Sequence, residues 1–491
     1  MFLRSALEQI PGTDPAAIPD VRIDGVSYDS RQVRRGDLFV AIRGQKTDGA
    51  RFARQAADRG AAAVAAESPV DPGGDAACFT VPDARRFLAE VSRIFYGDPA
   101  SRMRLAAVTG TNGKTTTAYV TEAILTHAGM RCCLAGTIAM RTVSRQSESR
   151  HTTPEAPDLS QFLRQALQEG CTHGALEVSS HSLALQRVFG MKFAVGIFTN
   201  LTPEHMDFHG TMEDYFGAKQ KLFDPENGNR VESGVFNIDD PYGRRLADGF
   251  RGRVVRFGFG PGADIRVLEN TIAADGTDLR LATPAGDMAL RTGLIGRHNA
   301  YNIMAAAGAA LCLDIPPEAI AAGVASMGTV PGRFERVEGG RDVTVIVDYA
   351  HSPDALENLL ELVSGLPHER IITVFGCGGD RDRRKRPVMG SIAAGRSDIT
   401  IVTSDNPRSE NPMDIIGEIL GGVPEGPGSC SVVPDRREAI GRAISLARKG
   451  DIVVIAGKGH ENYQIIGGER LPFDDRQVAG EFLRRLRGGR A

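Results

Sequence analysis

The chain has 491 residues, of which 42% are hydrophobic and 24% are charged. This is ordinary globular usage and excludes disordered and fibrous classes, and the length predicts roughly three domains at about 150 residues each. The 58 basic and 61 acidic side chains leave a net charge of −3, which gives no general case for binding nucleic acid or an acidic membrane surface. Only 8 of the basic residues are lysines, so a lysine inside a motif stands out.

The cysteine pattern and the apolar stretches indicate the compartment. Seven cysteines are scattered without a Cys-x-x-Cys pair, which disfavours a structural zinc site and a disulfide framework. The apolar stretches are far shorter than the 18 or so residues that span a bilayer, and the first residues lack the features of a signal peptide. We therefore expect a soluble cytoplasmic protein without membrane association, and we expect it to act as a monomer.

The first hundred residues are expected to form short strands at 21–26, 37–42 and 61–66, with a helix over 52–60. A break with Gly and Pro at 96–103 ends this segment. Strand–helix alternation then begins, which is typical of a doubly wound α/β sheet. Its predicted strands are 105–108, 172–178 and 193–199, and its predicted helices are 114–127, 159–169 and 298–313.

After a turn at 330–332 the alternation starts again, with strands at 343–347, 371–375, 399–403 and 452–456 and helices at 354–363, 413–420 and 437–449. The sequence therefore predicts an α/β protein of three domains. They are an N-terminal domain over 1–99, a central domain with a P-loop-type parallel sheet over 100–331, and a C-terminal Rossmann-like domain over 332–491.

The strongest local motif is VTGTNGKTTT at 108–117, where a strand, a Gly-rich turn and a helix follow one another. Glycines let backbone N–H groups approach phosphate oxygens, and the helix N-terminus adds partial positive charge. Lys114 would reach the β- and γ-phosphates, and the hydroxyl of Thr115 or Thr116 would bind Mg²⁺. Position 108 is Val where the longer P-loop has Gly, so the fit is to the shorter GxxGK[ST] form.

Polar residues follow two further strands of the central segment. Glu177 ends one apolar strand, and ligands bind at this end of the strands in open α/β sheets. A carboxylate beside a phosphate loop suits Mg²⁺, which prefers oxygen ligands. The segment TNLTPEHMDFHG at 199–210 offers two histidines, and spacing alone does not choose between His205 and His209.

These motifs together carry a family resemblance. GTNGKTT, EVSSH, NLTPEHMDFHG and AKQKLF, followed by GRHNAYN, VPGRFERV, DYAHSPD, SDNPR and AGKGHE, resemble the Mur ligases in order and spacing from about residue 30 to 461. The resemblance is greatest to the members that add the third residue of the peptidoglycan stem peptide. It implies a three-domain ATP-dependent ligase that binds a UDP-sugar substrate in its first domain.

The resemblance also implies roles for individual residues. Lys219 matches a lysine that is carbamylated in the family, where it helps to hold Mg²⁺ with Thr115, Glu177 and His205. Lys114, Lys219 and His205 would then be the catalytic group, with His205 as a metal ligand rather than a base. The implied ATP contacts are Gly110, Thr111, Asn112, Gly113, Lys114, Thr115, Thr116, His298, Asn299, Asn302, Arg333, Asp348 and His351.

The two other substrates have their own matching residues. Those for the UDP-muramoyl-dipeptide are Ser30, Thr152, Thr153, Ser179 and Arg187. Some relatives have Gln where this chain has Leu185, with Gln186 beside it, so that contact differs here. Those for meso-diaminopimelate are Arg381, Asp405, Asn406, Pro407, Arg408, Gly457 and Glu461.

Arg408 decides which amino acid is expected. Diaminopimelate carries a distal carboxylate that lysine lacks, and a guanidinium can pair with a carboxylate bidentately but repels an ammonium. The implied reaction joins meso-diaminopimelate to the D-glutamyl carboxylate of UDP-N-acetylmuramoyl-L-alanyl-D-glutamate through an acyl phosphate, in cell-wall synthesis. Three alternatives remain open, namely a lysine-adding ligase, folylpolyglutamate synthetase, and a non-catalytic nucleotide-binding regulator.

Overall fold

The computed structural model describes residues 1–8, 18–44, 47–149, 151–273, 276–339, 343–424 and 429–488. Three sheets of four, eleven and six strands follow one another along the chain, and a two-stranded hairpin follows the third sheet. None of the described helices is long and apolar enough to cross a membrane. The predicted α/β class is confirmed.

The first sheet is parallel, and its four strands pair in chain order. Helix α3 begins after Asp83, whose carboxylate accepts hydrogen bonds from the N–H groups of Arg85 and Arg86. The elements are α1 (Leu3–Leu7), β1 (Gly25–Ser27), β2 (Asp37–Val40), α2 (Ala53–Asp58), β3 (Ala63–Ala66), β4 (Ala77–Thr80) and α3 (Ala84–Phe95).

The central sheet has β5 (Arg104–Thr109) in its middle, between two neighbours that follow it in the sequence. Its further strands are β6 (Cys132–Ala135), β7 (Ala139–Arg141), β8 (Gln146–Glu148), β9 (His173–Glu177), β10 (Lys192–Phe198), β11 (Arg230–Asn237), β12 (Arg253–Gly258), β13 (Ile265–Ala273), β14 (Gly276–Ala282) and β15 (Met288–Thr292). The strand order is β15-β14-β13-β12-β11-β10-β5-β9-β6-β7-β8.

This sheet is parallel only in its middle part. The strands from β13 to β6 pair in parallel, whereas β14 and β15 at one edge and β7 and β8 at the other are antiparallel. The predicted parallel sheet is therefore extended at both edges by antiparallel strands, which need no crossover helix. Its helices are α4 (Lys114–His127), α5 (Ala156–Gln168), α6 (Ser180–Ala184), α7 (Met206–His209), α8 (Met212–Gln220), α9 (Pro241–Gly249), α10 (Arg297–Cys312) and α11 (Pro317–Ala325).

Helices cover both faces of the inner strands, as the continuous burial of β5 and β9 requires. Side chains of α4, α10 and α11 form a core on one face, and side chains of α5, α8 and α9 form a core on the other. The carboxyl ends of β5, β9 and β10 therefore open at one edge. The Gly-rich turn at 110–113, which we call the phosphate loop, follows β5, and the segment 199–210 follows β10. Glu177 is the last residue of β9.

The third sheet has the order β16-β17-β21-β18-β19-β20, parallel except for β16. Its strands and the hairpin are β16 (Glu335–Arg336), β17 (Thr344–Asp348), β18 (Ile371–Phe375), β19 (Ile399–Val402), β20 (Ser429–Val432), β21 (Ile452–Ala456), β22 (Tyr463–Ile466) and β23 (Glu469–Pro472). Its helices are α12 (Pro353–Ser364), α13 (Lys385–Arg396), α14 (Pro412–Leu420), α15 (Arg436–Leu446) and α16 (Asp475–Gly488).

Candidate active site

Two glycines of the phosphate loop lie in close contact with neighbouring side chains. Gly110 has φ of 147° and Gly113 has φ of 85°, and both values disfavour other residues. A Cβ atom at Gly110 would lie 1.9 Å from Oγ1 of Thr199, and one at Gly113 would lie 2.2 Å from Oδ1 of Asn302. Helix α4 begins at Lys114 without a side-chain cap, so its first N–H groups are available for an anion.

Two of the eight lysines meet at one backbone carbonyl. Nζ of Lys114 donates to the carbonyl oxygen of Gly110 at 2.9 Å, and Nζ of Lys219 donates to the same oxygen at 2.7 Å. Lys219 is 1% exposed, and burial together with the charge of Lys114 lowers the pKa of its amine well below the usual value. Burial also lowers the pKa of Lys114, although the negative charges of Glu204 and Glu177 raise it in part.

Glu177 is surrounded by hydroxyl and amide donors. Oε2 of Glu177 accepts from the hydroxyls of Thr115 and Thr137, both at 2.9 Å, and Oε1 accepts from the backbone N–H of Thr137 at 2.7 Å. Glu177 is 1% exposed, and Thr116 is buried on the same helix as Thr115. A buried carboxylate next to a hydroxyl at a phosphate loop fits the oxygen preference of Mg²⁺. Thr137 was not identified from the sequence.

His205, the third predicted metal ligand, lies on the segment that follows β10. His205 has φ of 57°, and its pKa is lowered to about 4 by desolvation, with Lys114 and Lys219 adding to the shift. The neutral imidazole at pH 7 fits the role of a ligand. Within the described parts of the chain, no group of three or more His, Cys, Asp or Glu side chains forms a metal cluster. His209 instead lies 3.0 Å from the hydroxyl of Ser180.

Glu204 is a central charge that the sequence analysis did not single out. Its carboxylate lies 3.5 Å from Nε2 of His351 and 3.7 Å from Nε2 of His205. Burial raises its pKa, but the hydrogen bond with His351 and the positive charges around it, including Lys114, lower the pKa further than burial raises it. Glu204 therefore links the central segment to the loop after β17. The motif PEHMD contained the signal, because it has a carboxylate beside the predicted ligand.

Three predicted ATP contacts, His298, Asn299 and Asn302, lie in the first turns of helix α10, next to the phosphate loop. Nδ2 of Asn302 donates to Oδ1 of Asn299 at 3.0 Å, and Nδ2 of Asn299 donates to the carbonyl of Ile295 at 2.8 Å. Thr117 donates to Oδ1 of Asn302 at 3.3 Å, which fixes α10 against α4. The pKa of His298 is lowered to about 4 by desolvation and by the charge of Arg333.

Residues after the 330–332 turn reach the phosphate loop from the other side. Arg333 donates to Oγ1 of Thr115 at 3.4 Å and stacks 4.7 Å from the ring centre of Tyr349. Asp348 accepts from the N–H of Phe334 at 2.7 Å, which fixes the backbone beside Arg333. Asn112 of the phosphate loop donates to Asp354 at 2.6 Å, so the third sheet is directly connected to the loop.

A cavity of about 1080 Å³ lies between the central and third sheets. Its wall brings together residues that are far apart in the sequence. The predicted site residues that line it are Thr152, His205, His351, Arg381, Asp405, Asn406, Arg408, Gly457 and Glu461.

Arg408 adopts a left-handed backbone conformation, with φ of 54°, that an arginine rarely takes. The hairpin supports it, since the N–H of Arg408 donates to the carbonyl of Ile465 at 3.0 Å. Burial and the neighbouring Arg408 lower the pKa of Arg381, so two guanidinium groups face one region of the cavity. Such an arrangement suits a carboxylate.

A glycine of the cavity wall, Gly457, lies in close contact with a neighbouring side chain. Gly457 has φ of 116°, and a Cβ atom there would lie 2.6 Å from Oδ2 of Asp405. A Cβ atom at Gly379 would lie 1.9 Å from the carbonyl oxygen of Pro407, so this position also requires glycine.

Three residues predicted for the muramoyl-dipeptide, Thr153, Ser179 and Arg187, form a network with the backbone of Glu177. Oγ1 of Thr153 donates to the carbonyl of Glu177 at 2.8 Å and accepts from the N–H of Ser179 at 3.1 Å. Arg187 donates to the carbonyl of Thr153 at 2.8 Å. Ser30 lies in the first sheet's segment, where its hydroxyl donates to Gln55 at 2.6 Å.

The Gln186 side chain is engaged elsewhere. It donates to Oδ2 of Asp83 at 2.7 Å, at the N-terminus of α3, and its φ is 57°. Gln186 therefore connects the central segment to the first one.

Three family profiles match successive parts of the chain. They are the Mur ligase family catalytic domain at residues 22–96, the Mur ligase middle domain at 108–310 and the Mur ligase glutamate ligase domain at 332–459.

Full-length relatives agree with these profiles. The chain is 48% identical over 481 residues to a Gloeobacter violaceus protein named UDP-N-acetylmuramoyl-L-alanyl-D-glutamate--2,6-diaminopimelate ligase, covering 97% of each chain. It is 46% identical to a Solibacter usitatus protein of the same name, covering 95% of this chain and 94% of the relative. A solved structure of a ligase of that name is 32% identical, covers 99% of both chains and has a TM-score of 0.69. The chain belongs to the Mur ligase family.

Proposed function

We propose that the protein is an ATP-dependent ligase that adds meso-diaminopimelate to the D-glutamyl carboxylate of UDP-N-acetylmuramoyl-L-alanyl-D-glutamate in peptidoglycan synthesis. The observation that carries this proposal is the pair Arg381 and Arg408, which faces a cavity that reaches His205 and His351 beside the phosphate loop. Relatives that are 41–48% identical over nearly their whole length carry the name of this ligase.

The chemistry is a carboxylate activation followed by aminolysis. The D-glutamyl carboxylate attacks the γ-phosphate of ATP, which gives an acyl phosphate and ADP. The free amine of diaminopimelate then attacks the acyl carbon, phosphate leaves, and the amine's proton goes to solvent or phosphate. The protein contributes positioning and charge neutralisation, with Lys114 and the first N–H groups of α4 at the phosphates.

Mg²⁺ bound by Thr115 and Glu177 would neutralise phosphate charge, and both residues are already paired in the structure. A second ion requires His205 and a carbamylated Lys219. Burial and the charge of Lys114 favour the neutral Lys219 amine, which is the form that reacts with carbon dioxide. A carbamate replaces that amine with oxygen ligands.

We further propose that segments 1–99, 100–331 and 332–491 each bind a different substrate. The first binds the UDP-sugar through Ser30, the second binds ATP, and the third binds the amino acid. We expect the protein to act as a monomer in the cytoplasm on small molecules, without nucleic acid or membrane partners.

Phosphate release tests the function directly. The purified protein, ATP, Mg²⁺ and the UDP-muramoyl-dipeptide are combined with meso-diaminopimelate, lysine or no amino acid. We expect rapid release only with diaminopimelate. Release that is faster with lysine would favour the lysine-adding ligase, and release without any amino-acid dependence would reject the ligase assignment.

Arg408→Ala provides the specificity control. Without the guanidinium, the distal carboxylate loses its partner, so we expect kcat/KM for diaminopimelate to fall by about 100-fold while the low rate with lysine stays the same. An unchanged preference would remove Arg408 as the selecting residue.

A further inference from the structure

Lys458 is a fully buried cation at the end of β21, next to the cavity that the amino acid would enter. It is 0% exposed, although lysine is rarely buried without a partner. It directly follows Gly457, which lines the cavity. Neither the motifs nor the mechanism described above give it a role.

The ammonium of Lys458 forms a triangle with two residues of the cavity wall. Nζ of Lys458 donates to Oε2 of Glu461 at 3.0 Å and to Oδ1 of Asn406 at 3.1 Å. Nδ2 of Asn406 closes the triangle by donating to the same Oε2 of Glu461 at 2.8 Å. Oδ1 of Asn406 also accepts from the N–H of Ile465 at 2.9 Å, which attaches the triangle to the hairpin.

The triangle engages one of the two carboxylate oxygens of Glu461. Within the triangle, both contacts of Glu461 are on Oε2, and Tyr463 is a further side-chain neighbour of this carboxylate. Glu461 lines the cavity together with Arg408, so a carboxylate and a guanidinium are presented to the same space. An amino-acid end carries one ammonium and one carboxylate, which matches this pair of charges.

We propose that Lys458 is a positioning residue for the incoming amino acid, because its buried ammonium holds Glu461 and Asn406 so that Glu461 can accept the substrate's ammonium group. The proposal rests on the proposed function, since it assigns a role within the amino-acid site. Lys458 acts through Glu461 and does not itself contact the substrate.

The test uses Lys458→Met in the full-length protein, with phosphate release measured against each substrate. Loss of charge-assisted hydrogen bonds to Glu461 should raise KM for meso-diaminopimelate by at least about tenfold. KM for ATP and for the UDP-sugar should stay within about twofold, and kcat within about threefold. Lys458→Gln keeps a donor without the charge, and we expect an intermediate KM.

A double-mutant cycle with Glu461→Gln separates positioning from simple support of the fold. If Lys458 acts through Glu461, adding Lys458→Met to Glu461→Gln changes KM for diaminopimelate by less than about threefold. Additive effects, or an unchanged KM in Lys458→Met, would overturn the proposal.

Arg370→Met is the matched control. Arg370 pairs with buried Asp451 at 2.5 Å, at the opposite end of the same sheet. We expect this variant to lower the melting temperature without raising KM for diaminopimelate.

If Lys458→Met instead degrades all three KM values and kcat together, Lys458 has only a structural role; Lys458→Gln gives the same test should Lys458→Met not fold. A wild-type protein without diaminopimelate-dependent release would refute the proposed function itself.

Discussion

Lys114 and Lys219 share the carbonyl oxygen of Gly110, although 105 positions separate them in the numbering. Two ammonium groups at one oxygen repel each other, and this repulsion, with burial, explains why the pKa of Lys219 lies well below its usual value. The scarcity of lysine drew attention to Lys114. Scarcity alone does not distinguish Lys219 from Lys221. The fold distinguishes them, because it buries Lys219.

Lys114→Ala should lower kcat by at least about 100-fold, because the ammonium at the phosphates is lost. Amino-acid-dependent phosphate release measures this. Lys192→Ala serves as a control, because Lys192 is exposed and pairs only with Glu232 among the described residues. Near-normal turnover by Lys114→Ala would remove the phosphate-loop assignment.

His173 should make the protein less stable in mild acid. Burial and Arg104 lower its pKa in the folded state, so between the unfolded value of about 6.5 and the lower folded value the unfolded chain binds more protons. The free energy of unfolding therefore decreases as pH falls below about 6.5. His173→Gln should reduce this slope, measured by urea unfolding from pH 8 to pH 5; equal slopes would contradict the prediction.

Residues with a chemical role were predictable where a motif surrounds them. Gly110 and Glu177 were singled out because they lie at the ends of predicted strands, and Arg408 because it matches a motif of the family. Thr137, Glu204 and Lys458 were missed because their importance comes from partners that are distant in sequence or buried, which a linear pattern does not show.

Among the elements, α4 was predicted with its observed bounds, 114–127, because a Gly-rich turn precedes it. Strands β11 and β12 were missed, since RVESGVFN and RVVRFG mix charged residues and glycines with apolar ones. Helix α15 ends at Leu446, three residues before the predicted end. The β22–β23 hairpin has a weak pattern because β22 buries only one of its residues and β23 is exposed throughout.

Helices α4 and α11 pack backbone against backbone at Gly323. A Cβ atom there would lie 2.4 Å from Cα of Ile124, so Gly323→Ala must separate the helices and should destabilise the protein by about 1–3 kcal/mol. Gly417→Ala, at an exposed position of α14 with open space around it, should be neutral or stabilising by about 0.5–1 kcal/mol. Thermal denaturation compares the two, and an equal effect would contradict the packing argument.

At the scale of the whole molecule, contacts between the central and third sheets close the cavity. Glu148 on β8 accepts from Asn462 at 2.5 Å and pairs with Arg470 at 3.4 Å. Glu148, Asn462 and Arg470 all line the cavity. The antiparallel edge of the central sheet therefore meets the hairpin that carries Ile465, which supports Arg408.

Glu148→Ala should weaken this closure. Exposed ion pairs contribute about 0.2–1 kcal/mol, so KM for diaminopimelate should rise about two- to fivefold while KM for ATP is unchanged. Glu269→Ala removes a pair of similar exposure, with Arg280 at 3.1 Å, on β13. It should leave both KM values unchanged, and the same change in both variants would reject a closing role for Glu148.

The sequence by itself determined the α/β class, the phosphate loop and the family, because periodicity and motif spacing are local properties of the chain. Only the tertiary structure decided which lysine is buried at Gly110, that Glu204 reaches His351, and that Lys458 supports Glu461. The reason is physical. Burial and charge pairing depend on segments up to hundreds of residues apart meeting at the carboxyl ends of two sheets, and no local pattern specifies such a meeting.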